Sequence, residues 1–235
     1  MMRGVRAVIF DLDETLADVS DSIKATHSAV AKRISGYLKE QGIIVDEEEI
    51  LPKLRAIDDR MNFSREYDRN KWWPILLSEL GVKLELPFRM LNELTSLFWR
   101  TYAENTKLYP DAEPTLEYLR QRGYKIGLVT DTDGKKGMKR ARLEQLGLND
   151  LFGAVVVGGD DTPRTKPDPG PFLIVAERLE VDPSSCVVVG DKPFTDIDGG
   201  NAAGMRTILL KRRDWGVKES SNLTIKSLSE LRGIL

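Results

Sequence analysis

Val5-Arg6-Ala7-Val8-Ile9-Phe10-Asp11-Leu12-Asp13-Glu14-Thr15 decides how this chain is built. Its first half is a short apolar run without polar alternation, as a strand buried on both faces of a parallel sheet requires. Its second half breaks abruptly into acids. Further runs of the same kind follow: Lys125 to Val129 before Thr130, Ala154 to Val157 before Gly158, and Cys186 to Val189 before Gly190. Amphipathic segments separate them at Glu113 to Arg122, Lys136 to Leu146 and Gly170 to Leu179. Gly123 and Gly147 stand where helix C-caps are expected. Thr207 to Leu210 and Leu223 to Ile225 read as further strands, and Leu228 to Leu235 as a closing helix. This alternation predicts an α/β fold, an open parallel sheet with helices on both faces.

The rhythm fails between about Asp18 and Lys107. That region shows no convincing strand, but helical stretches at Asp21 to Gln41, Glu47 to Asp58, Trp72 to Leu80 and Pro87 to Asn105. Ile23, Val30, Ile34, Tyr37 and Leu38 make an apolar stripe at helical spacing in the first of them. The expected organisation is a core of residues 1–17 and 108–235 with a small all-helical domain, 18–107, inserted after the first strand. The insert leaves and rejoins the core near that strand's carboxyl end, where open α/β sheets bind ligands, and is expected to overhang the site. Trp72-Trp73 and Phe98-Trp99 read as its core rather than as a stacking platform.

Composition limits the function classes. The 35 Lys and Arg against 37 Asp and Glu give a net charge of −2, so no basic field exists to hold a nucleic acid backbone. Lys135, Lys136, Lys139, Arg140 and Arg142 read as a solvated helix face. Cys186, the single cysteine, excludes an intrachain disulfide, and its valine neighbours read as buried strand packing. No apolar run approaches the length of a signal-peptide core or a membrane span. The expectation is a cytoplasmic protein with neither a nucleic acid nor a membrane partner. An apolar face left uncovered on the helical insert would suit a homodimer.

Asp11 and Asp13 follow directly on a buried strand. Alone, such a pair reads more readily as a surface turn; at the mouth of a parallel sheet, the carboxylates repel one another unless a cation or proton relieves them. Oxygen ligands of this kind suit Mg²⁺. Gly190-Asp191-Lys192-Pro193-Phe194-Thr195-Asp196 brings Asp191 and Asp196 to a second strand end, where they could complete a cation site, though Gly-Asp is also a common turn pair. The following Ile197-Asp198-Gly199-Gly200-Asn201-Ala202-Ala203-Gly204 is small enough for close backbone approach. Thr130 ends a strand and offers a hydroxyl and an N–H to an anion, and Lys166 sits in a proline-stiffened loop, Thr165-Lys166-Pro167-Asp168-Pro169.

Taken in order, Asp11-Leu12-Asp13-Glu14-Thr15, Thr130, Lys166 with its Pro-Asp-Pro, and Gly190-Asp191 through Asp196 resemble the motifs of the haloacid dehalogenase-like hydrolase superfamily. The resemblance covers nearly the whole chain, and it implies a Rossmann-like core with a helical cap between the first and second motifs. It also implies Asp11 as the nucleophile that forms an aspartyl-phosphate, and Asp13 as acid and then base. Mg²⁺ is then held by the Asp11 carboxylate, the Asp13 backbone carbonyl and Asp191, with Asp196 close by, either as a ligand or as support for one. Thr130 and Lys166 bind the phosphoryl oxygens. Dehalogenases of the superfamily lack an acid at the position of Asp13, so the branch implied is a phosphatase acting on a small phosphorylated metabolite, such as a sugar or triose phosphate.

A phosphomutase of the same superfamily is the alternative reading, since it needs the same two aspartates. A non-catalytic protein that binds phosphorylated ligands or a partner is the more distant one. Glu14 stands where many sugar phosphatases have glycine, and Asp131 where asparagine is frequent; both are expected to add negative charge near the anion site. Asp18, His27, Arg55, Arg60, Asn62 and Lys71 are the candidates for substrate selection. For His27, helix-surface or packing duty is the competing reading.

Overall fold

Starting at the N-terminus, strand β1 (Ala7–Phe10) leads through the acidic loop to the short β2 (Ala17–Asp18). Helices α1 (Ser20–Glu40), α2 (Glu47–Ser64), α3 (Trp72–Glu79) and α4 (Phe88–Asn105) follow, and β3 (Lys107–Leu108) returns antiparallel to β2. The rest alternates: α5 (Ala112–Gln121), β4 (Lys125–Asp131), α6 (Met138–Gln145), β5 (Ala154–Gly158), α7 (Gly170–Arg178), β6 (Cys186–Gly190), α8 (Asp198–Ala202), β7 (Arg206–Leu210), β8 (Leu223–Ile225) and α9 (Leu231–Ile234). This is a computed structural model, and it describes residues 2–218 and 220–235.

The 6-stranded sheet has the order β5-β4-β1-β6-β7-β8, and every pairing in it is parallel. Strand β1 lies inside, with Phe10 paired to Leu128 on one side and Val189 on the other. Within this sheet the chain passes from β1 to β4 and β5 on one side and then crosses to β6 on the other, so the carboxyl ends of β1, β4 and β6 meet at a topological switch point, the place where such sheets bind ligands. All β1 residues have 0% exposure, which explains why the run lacks polar alternation. On one face Phe172, Val175 and Ala176 of α7 pack against Ile9, Val156 and Val188. Gly127 permits this approach, since a Cβ there would lie 3.0 Å from Val175 and 3.1 Å from Leu179. Cys186 is fully buried in β6, as expected, and burial pushes its thiol up to about 11.

Several details differ from the sequence reading. Strand β4 runs through Thr130 to Asp131 instead of ending at Val129. The two-residue β2–β3 ladder lies at the ends of the segment read as strand-free. The glycine-rich stretch after Ile197 is helical, and its close approach is to the protein itself. A Cβ on Gly199 would stand 2.5 Å from the Phe172 ring, and one on Gly200 would stand 2.8 Å from Thr207 and 2.9 Å from Val188. Packing therefore overrides the weak helix propensity of glycine here.

Contacts divide the chain into two compact units: 1–18 with 107–132 and 136–235, and 19–106 with 133–135. In the second, α1 packs against α4 and α2. Val30, Ile34 and Leu38 are buried, but Ile23 and Tyr37 are only half-buried, and the buried face of α1 continues toward its N-terminus as His27, Thr26 and Ser22. Trp72, Trp73, Phe98 and Trp99 form the aromatic core around the buried Arg69, whose guanidinium carbon lies 3.9 Å from the Trp72 ring centre and 4.6 Å from that of Trp99. Among the described residues, no helix is long and apolar enough to cross a membrane.

Candidate active site

The loop after β1 is built by its own backbone. The Asp11 N–H donates to the Val189 carbonyl (3.0 Å), and the Leu12 carbonyl accepts from the N–H groups of Leu16 and Ala17 (both 2.9 Å). Leu12 and Leu16 are fully buried and anchor the turn. Glu14 carries the tightest bend, with φ of 62°, in the left-handed region that favours glycine, asparagine or aspartate. Its N–H donates to the Ala17 carbonyl (2.8 Å), and its Oε2 accepts from the Tyr109 hydroxyl (2.9 Å). Arg212 stacks on the Tyr109 ring at 3.5 Å and donates to Asp111 (2.8 Å). The Glu14 carboxylate is thus held by a tyrosine that also contacts a cation.

Asp11, Asp191 and Asp196 each place a carboxylate oxygen within 4.8 Å of the others, and none is more than 5% exposed. Lys166, 4% exposed, donates from Nζ to Asp11 Oδ1 and to Asp196 Oδ1, each at 2.6 Å. Asp131 sets the height of that lysine, because its Oδ1 accepts the Lys166 backbone N–H (3.0 Å). The second oxygen of Asp196 accepts from the Lys192 N–H (3.0 Å). Asp191 is different: among the described residues, neither of its buried oxygens has a hydrogen-bond partner.

The electrostatics follow from this geometry. Burial raises the Asp191 carboxyl well above its usual range; Lys192 opposes this, while Asp196, Asp11 and Glu14 add to it. Burial also raises Asp11, with Lys166 opposing and Asp196 adding. Burial works to lower Lys166, but the charges of Asp11 and Asp196 outweigh it and keep the ammonium charged. A buried carboxylate without a partner is costly unless a cation or proton reaches it. The donor set, carboxylates only, is that of a hard divalent cation such as Mg²⁺.

Gly190 is what lets Asp196 close on the end of β6, since a Cβ there would lie 2.4 Å from the Cβ and Oδ2 of Asp196. Gly190→Ala should therefore push Asp196 off Lys166, with a drop in turnover on the order of 100-fold, as expected for a displacement near 1 Å. Steady-state kinetics check this, and unchanged turnover would show that the placement of Asp196 is immaterial.

Asp13 is oriented by a different pair of cations. Its Oδ2 accepts from Lys139 Nζ (2.7 Å), and its Oδ1 accepts from Arg142 Nη2. Burial works to raise this carboxyl, but the charges of Arg142 and Lys139 overcome it and hold it well below the usual carboxylate range. This corrects the reading of Lys135 to Arg142 as a solvated face. Lys139 and Arg142 are 3% and 5% exposed, whereas Lys135, Lys136 and Arg140 are exposed. The one sequence signal that could have separated them is spacing, since positions three apart share a helix face.

Thr130 is 2% exposed and lies on β4, beside the end of β1. Of the selection candidates, Asp18 is half-buried in β2, paired with Lys107. His27 is 2% exposed, and its Nε2 lies 3.1 Å from Asp58 Oδ2, while Asn62 donates to Asp58 Oδ1 (3.1 Å). Arg60 is paired with Glu79 and Lys71 with Glu66, both at 2.7 Å. Arg55 is exposed. The structure thus gathers Asp11, Lys166, Asp191 and Asp196 at one point, and brings His27 and Asn62 together on Asp58 within the helical unit.

A sequence profile described as haloacid dehalogenase-like hydrolase matches residues 5–204. The chain belongs to this family. Among curated family members, it is 31% identical to the glyceraldehyde 3-phosphate phosphatase of Methanopyrus kandleri over 221 residues, covering 93% of this chain and 89% of that protein. Among solved structures, it resembles a HAD phosphatase from Thermococcus onnurineus, with a TM-score of 0.70, 30% identity, and 98% and 97% of the two chains covered. It also resembles a 2-haloacid dehalogenase from Pseudomonas syringae, with a TM-score of 0.68, 26% identity, and 98% and 97% covered. Haloacid dehalogenase-like architecture therefore accommodates both chemistries on a core of this shape, and the choice falls to individual side chains.

Proposed function

We propose that this hydrolase is a Mg²⁺-dependent phosphomonoesterase acting on a small phosphorylated metabolite, a sugar or triose phosphate, through an aspartyl-phosphate on Asp11. The observation that carries the reading is the unpartnered, buried Asp191 carboxylate beside the Asp11–Lys166–Asp196 cluster. The cluster fits a divalent cation, which Asp11, Asp191 and Asp196 would hold together with the Asp13 backbone carbonyl. When bound, such a cation neutralises charge on the transferring phosphoryl group.

The chain's own residues do the rest. An Asp11 oxygen attacks phosphorus, a new Asp11–O–P bond forms, and the bond from phosphorus to the ester oxygen breaks. That oxygen keeps the electron pair, takes a proton from Asp13, which has to carry it against the charges of Lys139 and Arg142, and leaves as the alcohol. Asp13, now a carboxylate, takes a proton from water as the water oxygen attacks phosphorus; Asp11 is released as a carboxylate and inorganic phosphate departs. Lys166 stays charged throughout and, with Thr130, binds phosphoryl oxygens. Asp13 favours this reading over dehalogenation, for which the resemblance implies no acid at that position. The name of the Methanopyrus relative supports a triose-sized substrate.

A screen of phosphorylated metabolites for phosphate release, with Mg²⁺ and no bisphosphate activator, tests the proposal. Release that is lost on chelation and restored by Mg²⁺ supports it, and interconversion without release would establish the mutase instead. Mg²⁺ at a hundred times its Kd should also raise stability by about 2.7 kcal/mol. Thermal unfolding reads this, and Asp191→Asn should remove most of the gain.

A further inference from the structure

The acidic cluster lies at the carboxyl ends of the strands, and the amino ends gather charge of the opposite sign. Strand β4, from Lys125 to Asp131, carries the sheet about 20 Å from one edge to the other. Two clefts adjoin at the amino edge. The larger, of about 440 Å³, has the rings of Tyr124 and Phe152 in its wall, with Arg120, Lys125 and Arg178 around them and Asp150 as the one acid among the described lining residues. The smaller, of about 260 Å³, is lined by Arg6, Arg122 and Lys125 and by no described acid. Tyr124 and Lys125 line both clefts.

Local structure accounts for two of these cations. Lys125 Nζ donates to the Leu179 carbonyl (2.5 Å) and lies 3.5 Å from Glu180, and Arg178 donates to the Val155 carbonyl (2.8 Å). Such bonds satisfy carbonyls left open at a helix end and on an edge strand. Arg6, Arg120 and Arg122 are left over. Among the described residues, their side chains make no hydrogen bond and no ion pair, and Arg122 only approaches the Tyr118 ring at 6.0 Å. The dipole of α5 favours Arg120 and Arg122 at its C-terminal end, but Arg6 precedes a strand and gains nothing of the kind.

Like charges at the rim of a cleft with low-dielectric walls focus the field on an anion. The shape limits its size: a continuous basic stripe suits a nucleic acid, whereas two recesses of this volume suit a small molecule. Guanidinium forks match the paired oxygens of phosphate, and cations spread over two clefts suit several phosphates in a row.

We propose that the amino edge of the sheet binds a polyphosphate group through Arg6, Arg120 and Arg122, with Lys125 between the two clefts. The half-buried rings of Tyr124 and Phe152 offer an apolar wall to an organic part attached to it, as in a nucleoside triphosphate. The site stands apart from the acidic cluster and does not depend on the phosphatase reading.

Calorimetric titration of the full chain with ATP and with tripolyphosphate tests this, in metal-free buffer so that no divalent cation recruits either ligand to the acidic cluster. At least one of the two should bind. Arg6→Gln, Arg120→Gln and Arg122→Gln should each weaken binding by about tenfold, the scale of one charge-assisted hydrogen-bonding group. Arg100→Gln, which neutralises an exposed arginine on α4, should leave it unmoved. All four positions are exposed, so the variants should melt as wild type does. Tighter binding of ATP supports a nucleotide as the source of the polyphosphate, and equal binding supports an inorganic chain. Binding of neither ligand overturns the proposal. So does binding that all three variants leave intact, or that Arg100→Gln weakens as much as they do.

Discussion

Asp11→Asn is expected to lower phosphate-ester turnover by roughly 10⁴-fold or more, the scale on which removal of a catalytic nucleophile acts. The carboxamide has the shape of the carboxylate but cannot form the acyl-phosphate bond. Its cost to the fold should be small, within about 1 kcal/mol, because opposing effects are removed together. Lys166 loses one of its two carboxylates, and Asp196 loses a like-charged neighbour. Turnover of p-nitrophenyl phosphate and a thermal melt measure the two quantities on one sample, and acid-quenched labelling should show phosphate on the wild-type protein alone. Turnover within tenfold of wild type, with the melt unchanged, would remove Asp11 as nucleophile.

Lys166→Met should damage both activity and stability. The ammonium is the bridge between Asp11 and Asp196, at 2.6 Å to each, and burial leaves these carboxylates little water to replace it. Removing one partner of a buried ion pair costs about 3–5 kcal/mol, because the other charge is left uncompensated. In a chain of this length, each kcal/mol lowers Tm by about 2–4 °C, so a fall of at least about 6 °C is expected. Mg²⁺ should recover part of it by supplying positive charge to the same carboxylates. Activity should not return with it, since in the proposed mechanism the phosphoryl oxygens lose a cation that acts in the transition state. A variant as stable as wild type would show that the cluster does not depend on the charge of Lys166.

Glu14 and Asp131 do bring negative charge to the site, Glu14 acting on Asp191 and Asp131 on Lys166. Each is also part of the frame that holds the site. In the structure, Asp131 accepts the Lys166 N–H, fitting beside Gly158, where a Cβ would come within 2.6 Å of Asp131 Oδ1. Glu14 occupies a left-handed turn position, with its carboxylate tied to Tyr109. The strain of that position, of order 1–3 kcal/mol for a residue other than glycine, is sustained by the contacts around it.

The sequence alone determined that buried strands form a parallel sheet and that polar residues follow several of them, but not the order of the strands. A strand buried on both faces announces itself by local composition, and in a parallel sheet the residues that follow adjacent strands converge whatever their separation in the chain. Lys166 meets Asp11 across 155 positions, and that meeting was legible through the family resemblance, whose motifs include both residues. Only the tertiary structure decided what Lys139 and Arg142 do. They lie 126 and 129 positions from Asp13, in a helix whose sequence reads as solvated charge. Which side of a helix faces inward is a rotation about its axis. That rotation is set by the partners it packs against, here the carboxylate that the first strand delivers.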